Sequence, residues 1–163
     1  MRLVLFDIDG TILTARGAGR RALAAALTAV YGTSGDIERY DLRGRTDPRI
    51  VFDLMEGAGL TRPVVRERLD DCFEVYARGL AAEVGDGSGV VTLPGVADLV
   101  RRLDGAPEVL VGLLTGNIEA GARIKLEPTG LRPYFRLGAY GQHQLIGNQY
   151  FLFRPDILVC YSA

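Results

Sequence analysis

The strongest constraint on this chain sits in its first eleven residues. Arg2 to Phe6 is a short apolar run with a β-branched residue, ended at once by Asp7-Ile8-Asp9-Gly10-Thr11. Such a run suits a buried strand that empties into a loop. In extended backbone, residues i and i+2 face the same way, so both carboxylates address one site at the strand's carboxyl edge. Gly10 allows a sharp turn, and the free N–H groups of that turn are expected to be available to phosphate oxygens. An ordinary turn and a calcium loop are the competing readings. The calcium loop fails, because its glycine would fall on Ile12 and its third ligand on Thr11.

From Gly17 to Tyr31, apolar residues recur at helical spacing (Ala22, Leu23, Ala26, Leu27, Val30), and Gly32 is placed to stop that helix. Thr46-Asp47-Pro48 supplies a capping side chain and then a proline in the first turn, which predicts a second helix running to about Gly57. A third is expected after Thr61-Arg62-Pro63, carrying Leu69, Cys72, Phe73, Val75, Tyr76 and Leu80. Past the glycine-rich break from Gly85 to Gly89 the pattern changes. Val96 to Leu103 reads as a helix, Val109 to Leu114 as a buried strand, Ile118 to Leu126 as a helix and Arg136 to Tyr140 as a short strand. One strand, a helical insertion, then alternating units describe an α/β fold: a Rossmann-like, doubly wound parallel sheet with an inserted helical cap. The expected division is a core of residues 1–14 plus 92–141, a cap of residues 15–91 and a divergent tail of residues 142–163.

Two further places carry chemistry. Thr115-Gly116-Asn117 follows the second buried strand, so its hydroxyl lies where Asp7 and Asp9 are expected. By itself the string reads equally as a turn in which Asn117 caps the next helix. Lys125 is the only lysine in a chain that otherwise uses arginine. A compact ammonium neutralises a carboxylate and a phosphate together in a tight site better than a planar guanidinium does. If its helix begins at Asn117, Lys125 lies roughly 12 Å along the axis from the cap. Reaching the site is then expected to need a late helix start, near Gly121.

The run from Leu3 to Thr11, followed in order by Leu113-Leu-Thr-Gly-Asn117 and by Lys125-Leu-Glu-Pro-Thr-Gly-Leu131, resembles the haloacid dehalogenase superfamily, in its phosphoglycolate-phosphatase-like branch. The resemblance implies that Asp7 is a nucleophile forming an aspartyl phosphate and that Asp9 is the acid/base. An aspartate at position 9 implies phosphoryl chemistry rather than dehalogenation. The same resemblance implies that Thr115 binds the transferring phosphoryl group, with Gly10, Thr11, Gly116 and Asn117 around it, and that Lys125 offsets charge. It also implies Mg2+ held by Asp7 and Asp9. Gly44-Arg45-Thr46-Asp47 is typical of this branch too, and Arg45 is expected to meet a substrate carboxylate or phosphate.

The resemblance runs to about Gly141 and then stops. The superfamily's fourth motif, an acidic pair that completes the magnesium site, has no counterpart in Gln142-His143-Gln144-Leu145, and the only acid after Gly141 is Asp156, behind a possible strand from Tyr150 to Phe153. All three glutamines and the only histidine fall after Gly141, where alanine is absent until Ala163. The expectation is a divergent terminus, or a frameshift or fusion scar near codon 141. Two like charges ~4 Å apart repel by about 4 kcal/mol at a moderate dielectric, so a site short of its cation is expected to turn over poorly. The missing units would also leave the first strand at a sheet edge, inviting self-association, unless Tyr150–Phe153 and Ile157–Tyr161 cover it.

These features lead to a magnesium-dependent phosphatase acting on a small phosphorylated metabolite such as phosphoglycolate. A sugar-phosphate phosphomutase uses the same residues, and a non-catalytic relative that binds phosphate or a partner is the alternative from another class. The balance of 19 basic and 20 acidic residues gives no field to draw nucleic acid or an anionic membrane. Cys72 and Cys160 lie in no metal-ligand spacing, and no segment is apolar for long enough to span a bilayer, which fits a cytoplasmic protein.

Overall fold

The structure, a computed structural model, describes residues 1–141 and 157–160. Its main sheet is built from β1 (Arg2–Phe6), β4 (Val109–Leu114), β5 (Leu137–Ala139) and β6 (Ile157–Cys160), in the spatial order β5-β4-β1-β6. All three pairings are parallel. The first two strands lie in a register that sets Phe6 against Leu113, so Asp7 and Thr115 emerge at neighbouring carboxyl ends. The chain leaves β1 to build the sheet on one side and returns on the other, which makes the β1 edge the switch point where open α/β sheets place their ligands.

Four helices, not three, make up the insertion: α1 (Ala18–Tyr31), α2 (Asp47–Gly57), α3 (Arg62–Glu67) and α4 (Leu69–Val84). The first forms as its periodicity predicts, burying Ala22, Leu23, Ala26, Leu27 and Val30, and ends at Gly32, whose left-handed φ of 81° lets its N–H close on the Thr28 carbonyl. In α2, the Thr46 side chain accepts from the Arg49 N–H, with Pro48 in the first turn. The expected third helix is broken at Arg68, where φ −107° and ψ 9° leave the helical region; Asp70 and Asp71 then favour a fresh helix start. Two short strands absent from the sequence reading, β2 (Leu13–Thr14) and β3 (Val91–Thr92), pair antiparallel and bring the two ends of the helical insertion together. α5 (Val96–Asp104) and α6 (Glu119–Leu126) complete the regular helices.

The insertion and the sheet share one apolar core. Phe6, Val111 and Leu113 from the sheet belong to the same buried cluster as Leu27, Phe52, Met55 and Leu80 from the helices. Each such side chain contributes about 1.5–3 kcal/mol when fully buried. The expected exposed edge at β1 does not occur. Ile157–Cys160 pairs along it from Leu3 to Phe6, and the Asp7 N–H donates to the Cys160 carbonyl at 3.0 Å. Among the described residues the edge therefore passes to β6, where Leu158 is 60% exposed. The expected strand at Tyr150–Phe153 and the residue Asp156 lie outside the described residues. No helix among the described residues is long and apolar enough to cross a membrane.

Candidate active site

Asp7, Asp9, Thr115, Asn117 and Lys125 come together at the carboxyl ends of β1 and β4 and the start of α6. Asn117 is the hub. Its amide nitrogen donates to Asp9 Oδ2 at 2.8 Å and to Thr115 Oγ1 at 2.7 Å, while its Oδ1 accepts from Lys125 Nζ at 2.7 Å. Its backbone N–H also donates to Thr115 Oγ1, at 3.3 Å. Both acceptor positions of that hydroxyl are thus occupied, and its one hydrogen is left for Asp7. Asn117 does not cap the following helix; its side chain wires two strand ends to Lys125.

Lys125 Nζ donates to Asp9 Oδ1 at 2.9 Å, to Asp9 Oδ2 at 2.7 Å and to Asn117. All three of its hydrogens are therefore committed, and its side chain is 5% exposed against 48% for Asp9. The late helix start proved unnecessary. α6 begins at Glu119, and the lysine still reaches Asp9, because side chains on a helix lean toward its N-terminus and the loop carrying Asn117 folds back over that end.

Burial raises the Asp7 pKa above its ordinary value. The Ile8 backbone N–H and the Thr115 hydroxyl pull it down, Asp9 pushes it up, and Lys125 draws it down again. The net effect leaves a carboxylate with few hydrogen bonds to give up, a property suited to a nucleophile.

The turn after β1 differs from expectation in one respect. The Gly10 N–H donates to the Leu13 carbonyl at 2.8 Å and the Thr11 N–H to the Ile8 carbonyl at 3.3 Å, so neither is free for an anion. Gly10 has φ 78°, which the turn needs. Among the described residues, the backbone N–H groups of Asp9 and Gly116 have no acceptor and remain available. Gly116 is required by close packing, since a Cβ there would collide with the Arg45 carbonyl.

Arg45 is drawn elsewhere. Its guanidinium donates to Asp53 Oδ2 at 3.3 Å and lies over the Tyr40 ring at 5.1 Å, and its hydrogen bonds reach none of the five clustered residues.

Sequence reasoning missed two residues. Asp47, 8% exposed, accepts the Ile118 N–H on Oδ2 at 2.8 Å. Burial, and more weakly Asp9, raise its pKa to about 6 against the opposing pull of Lys125 and the Ile118 N–H. Tyr76 on α4 lies against Gly121, with its hydroxyl near the Lys125 ammonium above Gly19. Its burial, with the charges of Asp47 and Asp9, holds the phenol well above its usual pKa. Tyr76 looked like one more apolar helix position, and Asp47 was fully accounted for as part of a local helix start.

Of the carboxylates here, Asp9 is engaged on both oxygens by Lys125 and Asn117 and Asp47 on one by the Ile118 N–H, leaving Asp7, which faces only the Ile8 N–H and the Thr115 hydroxyl, as the most accessible ligand. Among the described residues no three acidic, histidine or cysteine side chains gather as a metal-binding group. They do not by themselves fit a resident magnesium ion, which takes an octahedron of oxygens.

A family described as haloacid dehalogenase-like hydrolase matches residues 1–146. No curated protein matches the chain. Among solved structures, the fold is similar to CbbY from Rhodobacter sphaeroides in complex with phosphate, at 17% identity and TM-score 0.69, over 98% of this chain and 77% of that one. It is similar to a Lactobacillus plantarum protein described as a phosphoglycolate phosphatase, at 16% identity and TM-score 0.59, over 85% of this chain and 61% of that one. A Thermotoga maritima protein described as a β-phosphoglucomutase is similar at 14% identity and TM-score 0.51, over 98% of this chain and 75% of that one. At these identities the likeness shows the fold.

Proposed function

This chain belongs to the haloacid dehalogenase-like hydrolases, and on that premise we propose that it hydrolyses the phosphoric monoester of a small metabolite with Asp7 as the nucleophile. The observation that carries this reading is the set of hydrogen bonds that ties Lys125, Asp9 and Thr115 together through Asn117, with the Thr115 hydroxyl close enough to Asp7 to pull its pKa down. Asp7 attacks phosphorus, the bond to the leaving oxygen breaks, and Asp9 supplies that oxygen with a proton. Asp9 then takes a proton from the water that attacks the aspartyl phosphate, releasing phosphate and free Asp7. The N–H groups of Asp9 and Gly116, which have no acceptor among the described residues, are the donors for the phosphoryl oxygens, joined by the Thr115 hydroxyl once it turns from Asp7.

Asp9 cannot act as an acid while its carboxylate accepts from Lys125 and Asn117. An arriving phosphate competes for the lysine's ammonium, freeing Asp9 to carry the proton. Magnesium, as in the family generally, would offset the charge between Asp7 and phosphate when bound. Among the described residues Asp7 is the carboxylate best placed to hold it. The substrate class includes phosphoglycolate, and the compartment is the cytoplasm, in keeping with two free cysteines.

Purified protein incubated with an aryl phosphate and magnesium, against an Asp7→Asn control, tests the reading. Phosphate release that the control abolishes is expected; equal release from both would sink it. That no three acidic, histidine or cysteine side chains gather among the described residues favours a second reading, phosphate binding without turnover. Calorimetry showing phosphate binding that Thr115→Ala abolishes, with no release of product, would select it.

A further inference from the structure

We propose that Asp47 is a positioning residue of this site: from the start of α2 it clamps the loop Thr115–Ile118 and so sets Thr115 and Asn117 against Asp7 and Asp9. The inference rests on the reading of this loop as the phosphate-binding element.

The clamp has two points. The Asp47 N–H donates to the Gly116 carbonyl at 2.8 Å, and Asp47 Oδ2 accepts from the Ile118 N–H at 2.8 Å. Between them, three segments are pressed together without room for a side chain. A Cβ on Gly116 would collide with the Arg45 carbonyl, and a Cβ on Gly141 would collide with the Gly116 carbonyl and crowd Thr46. Gly141 is in turn tied to the loop by its N–H, which donates to the Asn117 carbonyl at 2.9 Å. The hub residue Asn117 is thus flanked on both sides by backbone groups that Asp47 holds.

The helix-start explanation for Asp47 does not account for this. Thr46 caps α2 with its own hydroxyl, so the Asp47 carboxylate is not needed for that task. It serves α6 instead, whose first N–H groups receive no capping side chain from their own segment. A carboxylate at a helix N-terminus is favourable. The groups facing it are Lys125 on α6, Asp9 after β1 and Tyr76 on α4. Burial that raises its pKa to about 6 shows that the ionised form is held at a cost to the fold.

The test uses the full chain, amide hydrogen exchange at Ile118 and calorimetric binding of inorganic phosphate. Asp47→Ala is expected to abolish protection of the Ile118 amide and weaken phosphate about tenfold. Asp47→Asn keeps an acceptor oxygen and is expected to restore both to within about threefold. If Asp47→Ala fails to fold, the Asn variant decides alone: a protected Ile118 amide and near-native phosphate affinity support the clamp, and their loss overturns it. Unchanged Ile118 exchange in a folded Asp47→Ala protein also overturns it. Exchange needs neither phosphate nor turnover. A chain that binds no phosphate would therefore sink the proposed function while the Ile118 amide still decided the clamp.

Discussion

β1 and β6 lie side by side in one sheet, parallel and paired over four residues, yet among the described residues only β1 leads into the candidate site. β1 ends in Asp7-Ile8-Asp9, and its other neighbour, β4, ends in Thr115-Gly116-Asn117. β6 is followed by Tyr161-Ser162-Ala163, which contain no carboxylate. A strand position in a parallel sheet asks only for an apolar run of the right length, and Ile157-Leu-Val-Cys160 satisfies it. A site asks for particular groups at the strand's end. Among the described residues, the sheet edge beside β1 is thus filled on packing grounds.

The largest effect expected from breaking this contrast is on the β1–β4 side. Lys125→Ala removes a buried ammonium and strands Asp9 Oδ1 and Asn117 Oδ1 without their donor, so phosphatase activity should fall by ~10²–10³-fold in steady-state assays. Lys125→Arg should recover little of it, because the planar guanidinium does not fit a cage built for three short bonds. Full activity in the arginine variant would show that only the charge matters.

Next in size is the pH dependence that Asp47 imposes. Its pKa is raised from 3.8 to about 6 in the folded chain, so the folded state binds the proton more tightly than the unfolded one. The resulting stability is fully present below pH ~4 and is lost as pH rises through 6, a change of about 3 kcal/mol. Urea unfolding of Asp47→Asn at pH 4 and pH 8 should lack that slope. An identical slope in both proteins would place the raised pKa elsewhere.

The smallest effect belongs to β6. Leu158 is exposed, so Leu158→Lys should change stability by less than about 0.5 kcal/mol in urea unfolding and leave any phosphatase activity untouched. Loss of activity in that variant would mean that β6 contributes more than packing.

Much of this was legible in the sequence, and the misses share a cause. The first strand, the second buried strand and the first helix are written in local periodicity, and Asp7, Thr115 and Lys125, singled out by their order, are residues the fold gathers. β2 and β3 are two residues each, too short for any period to register. The break at Arg68 interrupts an apolar pattern that continues across it. Arg45 is held by Asp53 and Tyr40, partners whose proximity exists only after folding. Asp47 was hidden by a neighbour: Thr46 and Pro48 explained the helix start, and nothing local shows a carboxylate reaching a helix begun at residue 119.

The central claim is that Asp7 is the group that takes the phosphoryl. Acid quenching of the protein during turnover of an aryl phosphate, followed by peptide mass mapping, tests it directly. The account predicts one added phosphoryl group on the peptide containing Asp7, absent from Asp7→Asn. Phosphorylation of any other residue, or hydrolysis that persists in Asp7→Asn, would contradict it.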